Sequence, residues 1–411
     1  MVERKEYMNA LWKWKDQQVI KVVTGLRRSG KSTLLSMFQD VLKRSGVDEN
    51  QIISINFEDL QYESITDYAL LYNYVSERLC ADKMNYIFLD EIQMVTDFQK
   101  AVNSLYIRHN VDLYITGSNA YMLSGELATL LSGRYVEIKI LPLSFKEYRE
   151  LKGDQDRDRL FGDYLKYGGL PYIATFKDPD KRADEYLEGI YNTIIVKDIE
   201  LRQKRKETDL NKRKITDMAL LRNIARFLAG SIGIPVSIKS IADYITSSGR
   251  RISPNTVSDY VEALIEPYVF YPAERYDING KQLLTQNRKL YIVDLGLRRH
   301  LVPKQNYDLG HSLENLVYLE LLRRDCKVMI GKVGNTEVDF VAQRGDEIAY
   351  YQVTASLTDE RTFNREFAPL KAIRDNYPKT VLTLDRFSLG NYDGINAINA
   401  VDWFLQVYDR P

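Results

Sequence analysis

The chain has 411 residues, enough for two or three domains, because single hydrophobic cores rarely grow beyond about 250–300 residues. Apolar residues make up 45% and charged residues 28%, and no run of 18 apolar residues occurs, which excludes a membrane-spanning, disordered or collagen-like chain. Lys and Arg together number 57, as do Asp and Glu, so any nucleic-acid contact needs a local basic patch. Two cysteines and three histidines argue against a disulfide framework or a zinc site, and the charged start lacks a secretory pattern. We therefore expect a cytoplasmic protein.

A β-branched run at 19–24 is followed by a glycine-bounded loop and a helical pattern at 34–42. The loop fits G-x-x-x-x-G-K-[ST] at every position. In such a loop the backbone N–H groups face phosphate oxygens, a lysine faces the β- and γ-phosphates, and a hydroxyl ligates Mg²⁺. The pattern therefore predicts a site for ATP and Mg²⁺, and the alternative is a fortuitous glycine turn. The residues expected to hold the nucleotide are Gly25, Arg28, Ser29, Gly30, Lys31, Ser32 and Thr33, with Ser32 on the metal.

A second apolar strand, predicted at 86–89, ends in two adjacent acids. We expect Asp90 to hold Mg²⁺ through water and Glu91 to orient or polarise the attacking water. The alternative is that the pair caps a helix that begins near Asp97. A further strand brings Glu58 to the same crevice, with its role open.

A third strand, predicted at 111–116, delivers Ser118 and Asn119 to its carboxyl end, where the ligands of open α/β sheets lie. Either side chain is suited to hydrogen-bond the γ-phosphate or the attacking water. Alternatively, the turn only caps a helix predicted at 120–131.

These three segments, with Leu131-Ser-Gly-Arg134 and the stretch 140–148, resemble a widespread prokaryotic AAA-type ATPase family that carries a C-terminal domain of unknown function. The resemblance covers essentially the whole chain. It implies that Ser118 or Asn119 is the phosphate sensor and that Arg134 approaches the γ-phosphate, either in cis or from a neighbouring subunit of an oligomer. A surface ion pair is the alternative role for Arg134.

The middle of the chain contains a basic run and a helical segment. Residues 202–214 carry seven basic and two acidic side chains, which suits phosphate binding or a solvated helix or loop. Three helical patterns and a hairpin signal at Asn279-Gly280 then predict a winged helix. DNA binding through residues 202–265 and packing against a protein partner both stay open, because the expected exposed residues are of both signs: Asn255, Asp259, Glu262, Arg250 and Arg251.

From residue 311 onward, helix and strand patterns predict a compact α/β unit that resembles the PD-(D/E)XK nuclease core, with Glu314, Asp339 and Gln352 at the remnant of its site. Active enzymes of that type have an acid, one residue and then a lysine, where this chain has Gln352-Val-Thr354. The missing carboxylate and lysine predict weak Mg²⁺ binding and no cleavage. An unrelated α/β domain is the alternative.

Together these patterns predict an α/β protein with a P-loop parallel-sheet ATPase domain and lid at 1–200. A winged-helix domain at 201–295 and a degenerate nuclease-like α/β domain at 296–411 follow. The predicted function is Mg²⁺-dependent ATP hydrolysis that moves these two appendages, with Lys31, Glu91, Ser118, Asn119 and Arg134 as catalytic residues. The alternatives are an ATP-dependent DNA-binding protein or nuclease, and a slow-turnover switch that binds a protein partner.

Overall fold

The computed structural model forms two compact units, the first comprising 1–141 with 266–268 and the second 142–265 with 269–411. Residues 142–194, predicted to belong to the ATPase domain, thus group with the second unit, and the three-domain division stays a prediction. No helix among the described residues is long and apolar enough to cross a membrane. The structure describes residues 2–117, 131, 133–153, 155–194, 215, 217–302 and 308–406.

The first unit contains a five-stranded parallel sheet. Its strands are β1 (Ile20–Gly25), β2 (Ile52–Asn56), β3 (Asn85–Asp90), β4 (Val111–Thr116) and β5 (Tyr135–Ile140), and its helices are α1 (Lys5–Lys13), α2 (Lys31–Arg44), α3 (Tyr68–Ser76) and α4 (Phe98–Tyr106). The strand order is β2-β3-β4-β1-β5, with every pair parallel. Strands β1, β3 and β4 are buried along their whole length, as expected of a parallel sheet that is covered on both faces.

The order of the sheet places the predicted nucleotide residues together. Because all five strands run the same way, the segments that follow β1, β3 and β4 leave from one edge. The register pairs Val23 with Thr116 and Leu89 with Ile115, so these three strands end nearly level. This edge carries the glycine-bounded loop, the two acids and the end of β4.

The second unit begins with helices and continues into a large sheet. The helices are α5 (Phe145–Lys152), α6 (Arg157–Tyr167), α7 (Pro171–Ala174), α8 (Pro179–Asn192), α9 (Met218–Gly230), α10 (Ile238–Ser247), α11 (Pro254–Ile265), α12 (Leu295–Leu301), α13 (Leu309–Arg323), α14 (Glu360–Lys371) and α15 (Ala400–Leu405). The strands are β6 (Phe270–Asp277), β7 (Gln282–Ile292), β8 (Lys327–Val333), β9 (Thr336–Arg344), β10 (Glu347–Thr354), β11 (Lys379–Thr383), β12 (Gly390–Tyr392) and β13 (Ile395–Asn399).

The eight strands that the structure describes in the second unit form one sheet in the order β12-β13-β11-β10-β9-β8-β6-β7. The predicted hairpin at Asn279-Gly280 is confirmed, because β6 and β7 pair antiparallel on either side of it. Strand β6 also pairs in parallel with β8, which joins the hairpin to the strands that follow it in the chain. Phe367 and Leu370 of α14 pack with buried sheet residues such as Val341 and Val381 in a hydrophobic core.

Candidate nucleotide site

The loop between β1 and α2 has the backbone geometry that its glycines predict. Gly30 has φ 97° and directly precedes α2. A Cβ atom on Gly25 would lie 2.2 Å from the carbonyl oxygen of Ile140, so β5 approaches too closely for any other residue there. Lys31 is buried, and its Nζ donates to the carbonyl oxygens of Gly25 and Leu26 at 3.2 Å each. The ammonium group is thus held inside the loop that is predicted to surround the phosphates.

The other loop residues differ in exposure. The side chains of Arg28, Ser32 and Thr33 are exposed, whereas Ser29 is fully buried. The backbone of Arg28 has φ 67°, in the left-handed region. Ser32 and Thr33 thus present exposed hydroxyls at the first turn of α2, and the role of Ser32 on the metal stays a prediction.

Asp90 ends β3 and lies beside the loop. It is 8% exposed, and the Oγ1 hydroxyl of Thr116 donates to its Oδ1. Burial raises the pKa of Asp90, while hydrogen bonds from Thr116 and Ser32 and the positive charge of Lys31 oppose that effect. The fold therefore brings Lys31, Ser32 and Asp90 together from separate segments. A hydroxyl and a carboxylate beside a bound phosphate are the oxygen ligands that Mg²⁺ uses in nucleotide sites.

Glu91 follows in an unusual backbone conformation. Its φ of 55° and ψ of 42° lie in the left-handed region, which is costly for a residue with a Cβ atom and is frequent at functional sites. Its backbone N–H donates to Oγ1 of Thr116 at 2.9 Å, and Nε2 of Gln93 donates to its Oε2. Glu91 is 8% exposed, and the amide of Gln93 holds its carboxylate. The alternative role of the two acids, as caps of α4, does not fit, because Asp97 is the residue that precedes that helix.

Two residues of this site were not predicted from the sequence. Thr116 contacts both acids, and Gln93 contacts Glu91. The signal for Thr116 was its position as the last residue of a buried strand, two residues before Ser118. Glu58, left open before, pairs with Arg27 of the loop at 2.8 Å, and the pair is partly solvent-exposed.

The structure corrects one of the two roles that were expected of Arg134. Its carbonyl accepts from Ile20 N–H at the amino end of β1, and β5 begins at the next residue. The loop lies at the opposite edge, where Gly25 pairs with Ile140, five residues or about 17 Å along the strand. The exposed Arg134 guanidinium instead lies 5.3 Å from the ring centre of Tyr106. It therefore does not approach the phosphates in cis, and the role in trans stays a prediction.

Ser118 and Asn119 lie outside the described residues. The basic run at 202–214 and most of the helix predicted at 120–131 lie outside them as well. Their predicted roles stay predictions.

The three residues of the nuclease-like remnant lie close together in the second unit. Backbone N–H of Asp339 donates to Oε1 of Gln352 at 3.3 Å, and Nε2 of Gln352 donates to Glu366 at 2.9 Å. Asp339 accepts from Val353 N–H at 2.8 Å, and burial and the charge of Glu314 raise its pKa well above the usual range. Throughout the described ranges, no group of three His, Cys, Asp or Glu side chains is arranged to hold a metal ion.

Comparison with known proteins identifies the relatives of this chain. Residues 17–149 match the AAA domain, and residues 158–308 match a domain of unknown function (DUF8612). An uncharacterized protein of Haemophilus influenzae is 40% identical over 411 residues, with 99% of each chain covered. The chain belongs to the family of this Haemophilus protein.

More distant members and a shared fold extend this result. An uncharacterized protein of Methanocaldococcus jannaschii is 31% identical over 376 residues, which are 87% of this chain and 79% of that protein. A Walker-type ATPase of Pyrococcus abyssi has the same fold, with a TM-score of 0.50, 16% identity, and coverage of 73% of this chain and 96% of that one. This chain therefore contains an AAA-type P-loop ATPase domain with an α/β fold.

Proposed function

We propose that this protein is a Mg²⁺-dependent ATP hydrolase. The observation that carries the proposal is the meeting of Lys31, Ser32, Asp90 and Glu91 at one edge of the parallel sheet, with Thr116 in contact with both acids. Lys31 would bind the β- and γ-phosphates, and Ser32 and Asp90 would hold Mg²⁺, which would offset the charge of those phosphates. Glu91 orients the attacking water and accepts its proton as the γ-phosphate departs.

The binding step is tested with the Lys31→Ala variant. Titration of a fluorescent ATP analogue in the presence of Mg²⁺ should show an affinity at least about tenfold lower, because the charge that faces the terminal phosphates is gone. Lys43, whose side chain lies on the same helix and pairs with Glu49 at the surface, offers a matched control as Lys43→Ala. Equal affinity in Lys31→Ala and the parent chain would refute the assigned loop.

The chemical step is tested with Glu91→Gln. This variant keeps the size of the side chain and removes only the group that accepts a proton, so ATP binding should persist while phosphate release slows by about 100-fold or more. Unchanged turnover would move the catalytic carboxylate to another residue, and Glu58 would be the next to test.

We propose that Arg134 acts in trans, in an oligomer. An arginine finger is an arginine that stabilises the negative charge that develops on the phosphates in the transition state. Arg134→Ala should therefore lower turnover more than ATP affinity. If a second subunit supplies it, the specific ATPase activity rises with protein concentration. If the specific activity does not depend on protein concentration and Arg134→Ala is as active as the parent chain, both the role of Arg134 and the need for an oligomer are refuted.

We further propose that α9–α11 with the β6–β7 hairpin form a winged helix that packs on protein rather than reading DNA. Asn255 and Asp259 of α11 are exposed, Glu262 pairs with Arg288 at 2.8 Å, and Arg250 pairs with Asp217. An acidic exposed face repels phosphates, and two basic groups near it, Arg250 and Arg288, already have carboxylate partners. Stimulation of the ATPase rate by double-stranded or single-stranded DNA would favour the DNA-binding alternative.

The final part of the proposal concerns the effect of nucleotide on the second unit. Strands β8–β11 with α13 and α14 are proposed to be a degenerate PD-(D/E)XK-like fold that ATP turnover repositions. Hydrogen exchange across the second unit, compared between the nucleotide-free chain and Glu91→Gln with ATP and Mg²⁺, tests this. Identical hydrogen exchange in the two states would show that ATP does not change the conformation of the second unit, and would favour a slow-turnover switch.

A further inference from the structure

A buried tyrosine fastens a distant segment of the chain to the sheet of the first unit. Residues 266–268 group with this unit, although in the sequence they lie between α11 and β6 of the second unit. Tyr268 is 5% exposed, and its hydroxyl donates to Oε1 of Glu137 on β5 at 3.3 Å. Burial and the charge of Glu137 raise the pKa of Tyr268, so the phenol keeps the proton that it donates. A hydrogen bond and a buried aromatic ring thus hold the segment in the first unit.

The carboxylate that holds Tyr268 also contacts the strand that leads into the nucleotide loop. Thr24 on β1 is fully buried, and its Oγ1 donates to the same Oε1 of Glu137 at 2.6 Å. Thr24 directly precedes Gly25, the first residue of the loop. One carboxylate oxygen therefore links the start of the loop to Tyr268.

The end of β1 is packed tightly against β5. Strand β1 pairs with β5 over its whole length, and a Cβ atom on Gly25 would lie 2.2 Å from the carbonyl oxygen of Ile140. Closely packed interiors have low compressibility, so they transmit a displacement instead of absorbing it. A displacement of the loop backbone on phosphate binding is therefore passed to Thr24, to β5 and to Glu137.

The backbone of Tyr268 is strained, which makes the segment sensitive to its contacts. Its φ of 63° lies in the left-handed region, which is an outlier for a bulky aromatic residue. Such strain persists only where the surrounding contacts hold it, and it is frequent in switch segments. The hydrogen bond to Glu137 is one of these contacts. At 3.3 Å it is longer than the usual value of about 2.7–2.8 Å for a hydroxyl donor, so it has room to shorten.

We propose that Glu137 and Tyr268 couple ATP binding at the loop to the segment 266–268, with Tyr268 as a positioning residue for the loop. The coupling rests on the nucleotide binding proposed above and extends it to a second part of the chain. ATP shifts Thr24 and Glu137 so that the hydrogen bond from Tyr268 shortens and holds the segment more firmly. Because coupling between two sites is reciprocal, the same hydrogen bond raises the affinity of the loop for ATP.

The experiment compares Tyr268→Phe with a matched control, Tyr86→Phe, in the full-length chain. Each change removes one buried phenol hydroxyl that donates to a carboxylate, but Tyr86 bonds to Asp16 at 2.7 Å and lies at the start of β3, at the opposite end of the strands from the loop. Tyr268→Phe should lower the affinity for a fluorescent ATP analogue about fivefold, and Tyr86→Phe should leave it unchanged.

Hydrogen exchange at residues 266–269 provides a readout that a merely structural role would not move. A non-hydrolysable ATP analogue with Mg²⁺ should slow this exchange several-fold in the parent chain and in Tyr86→Phe. In Tyr268→Phe the exchange should be the same with and without the analogue.

A second variant, Thr24→Val, breaks the connection on the loop side and leaves Tyr268 intact. It should likewise weaken ATP binding and remove the effect of the analogue on exchange at 266–269. The double variant should bind ATP no more weakly than the weaker single variant, since both changes break the same connection.

The results separate failure of the coupling from failure of the nucleotide site. A parent chain that binds no ATP analogue would refute the site and the coupling together. If the parent chain binds the analogue, additive effects of Thr24→Val and Tyr268→Phe would refute the coupling alone. Nucleotide-dependent exchange that persists in Tyr268→Phe, or an equal loss of affinity in Tyr86→Phe, would refute it as well.

Discussion

Thr116 connects the two acids of the nucleotide site through a single hydroxyl group. Its Oγ1 donates to Asp90 and accepts from the backbone N–H of Glu91, so the proton and the lone pairs of one atom are both used. The first contact fixes the carboxylate predicted to hold Mg²⁺, and the second supports the left-handed backbone of Glu91. Thr116 is therefore a positioning residue that acts through both acids.

We expect Thr116→Val to lower the maximal ATPase rate about tenfold or more, because a hydrogen bond to a buried charged group is lost. The Mg²⁺ concentration that gives half the maximal rate should rise as well, which a purely structural role would not require. Steady-state phosphate release over a range of Mg²⁺ concentrations measures both effects. Thr116→Ser keeps the hydroxyl and should behave like the parent chain, and a fully active Thr116→Val would show that the hydroxyl is not needed.

The residues of the site differ in how far the sequence could reveal them. The meeting of Lys31, Ser32 and Asp90 was predictable because phosphate and metal chemistry restricts both their types and their spacing. Thr116 was not singled out because threonine is common in strands, and its contacts exist only once β3 and β4 pair. The buried ion pair between Lys289 and Glu314 in the second unit was missed for a related reason. Lys289 lies 25 residues before Glu314 in the chain, and only the folded sheet and helix bring the two charges together.

At the scale of elements, a residue that precedes α1, Arg4, contacts the backbone of the nucleotide loop. Arg4 is 5% exposed, and its guanidinium donates to the carbonyl oxygens of Ser29 at 3.0 Å and Leu141 at 2.7 Å. It also lies 4.6 Å from the ring centre of Tyr7. One side chain therefore ties the loop to the end of β5.

We expect Arg4→Met to weaken ATP binding about tenfold, because two buried carbonyl oxygens lose a charged donor while the volume of the side chain is largely kept. Titration with the fluorescent ATP analogue measures this. The neighbouring Lys5 is exposed and provides the control Lys5→Ala, which should bind like the parent chain. Equal affinity in Arg4→Met would show that the loop keeps its conformation without the Arg4 guanidinium.

A buried acid, Asp294, forms the N-cap of helix α12. Asp294 accepts from Gly169 N–H at 2.7 Å and from Leu297 N–H at 3.2 Å. Burial raises the pKa of Asp294 to about 6 from 3.8, despite these backbone hydrogen bonds. The folded chain therefore binds the proton of the Asp294 carboxyl more tightly than the unfolded chain does. This proton binding adds its full contribution to the free energy of unfolding below pH 3.8, and the contribution is lost as the pH rises through about 6.

The stability advantage of the parent chain over Asp294→Asn should therefore shrink as the pH rises from 4 to 7. The upper limit of this change is about 3 kcal/mol, from about two pKa units at about 1.4 kcal/mol each. Urea unfolding of the second unit across this pH range measures it. Parallel stability profiles for the two chains would show that Asp294 titrates as it does in the unfolded state.

Predictability differs among elements as well. Strands β1, β3 and β4 begin within two residues of their predicted starts, because each has a strong hydrophobic pattern. Strands β12 and β13 and helix α15 were not predicted. The two strands are short and contain several Asn residues, and they exist through pairing with β11 and with each other, while α15 has only six residues. The sheet edge on which Arg134 lies likewise depends on strand register, which the sequence alone does not specify.

For the whole molecule, we expect ATP turnover without DNA cleavage. Nucleolysis of the resembled kind needs carboxylates that share a metal ion and a cation near the attacking water, and here Gln352 is committed to Glu366. The purified chain, incubated with plasmid, linear duplex or single strands, with Mg²⁺ or Mn²⁺ and with or without ATP, should leave every substrate intact. Metal-dependent cutting that disappears in Asp339→Ala would establish a nuclease. Cutting that persists in that variant would indicate contamination.

The pairing of β6 with β8 has a consequence for the evolutionary history of the chain. The segment 158–308, which matches a domain of unknown function, ends between two strands of the same hydrogen-bonded ladder. Loss of that segment in a descendant would leave β8 with an exposed edge, and edges of this kind promote aggregation. Acquisition of the segment alone would leave β6 unpaired on that side for the same reason. Selection should therefore have kept residues on both sides of position 308 together, so that they pass between genomes as one heritable block.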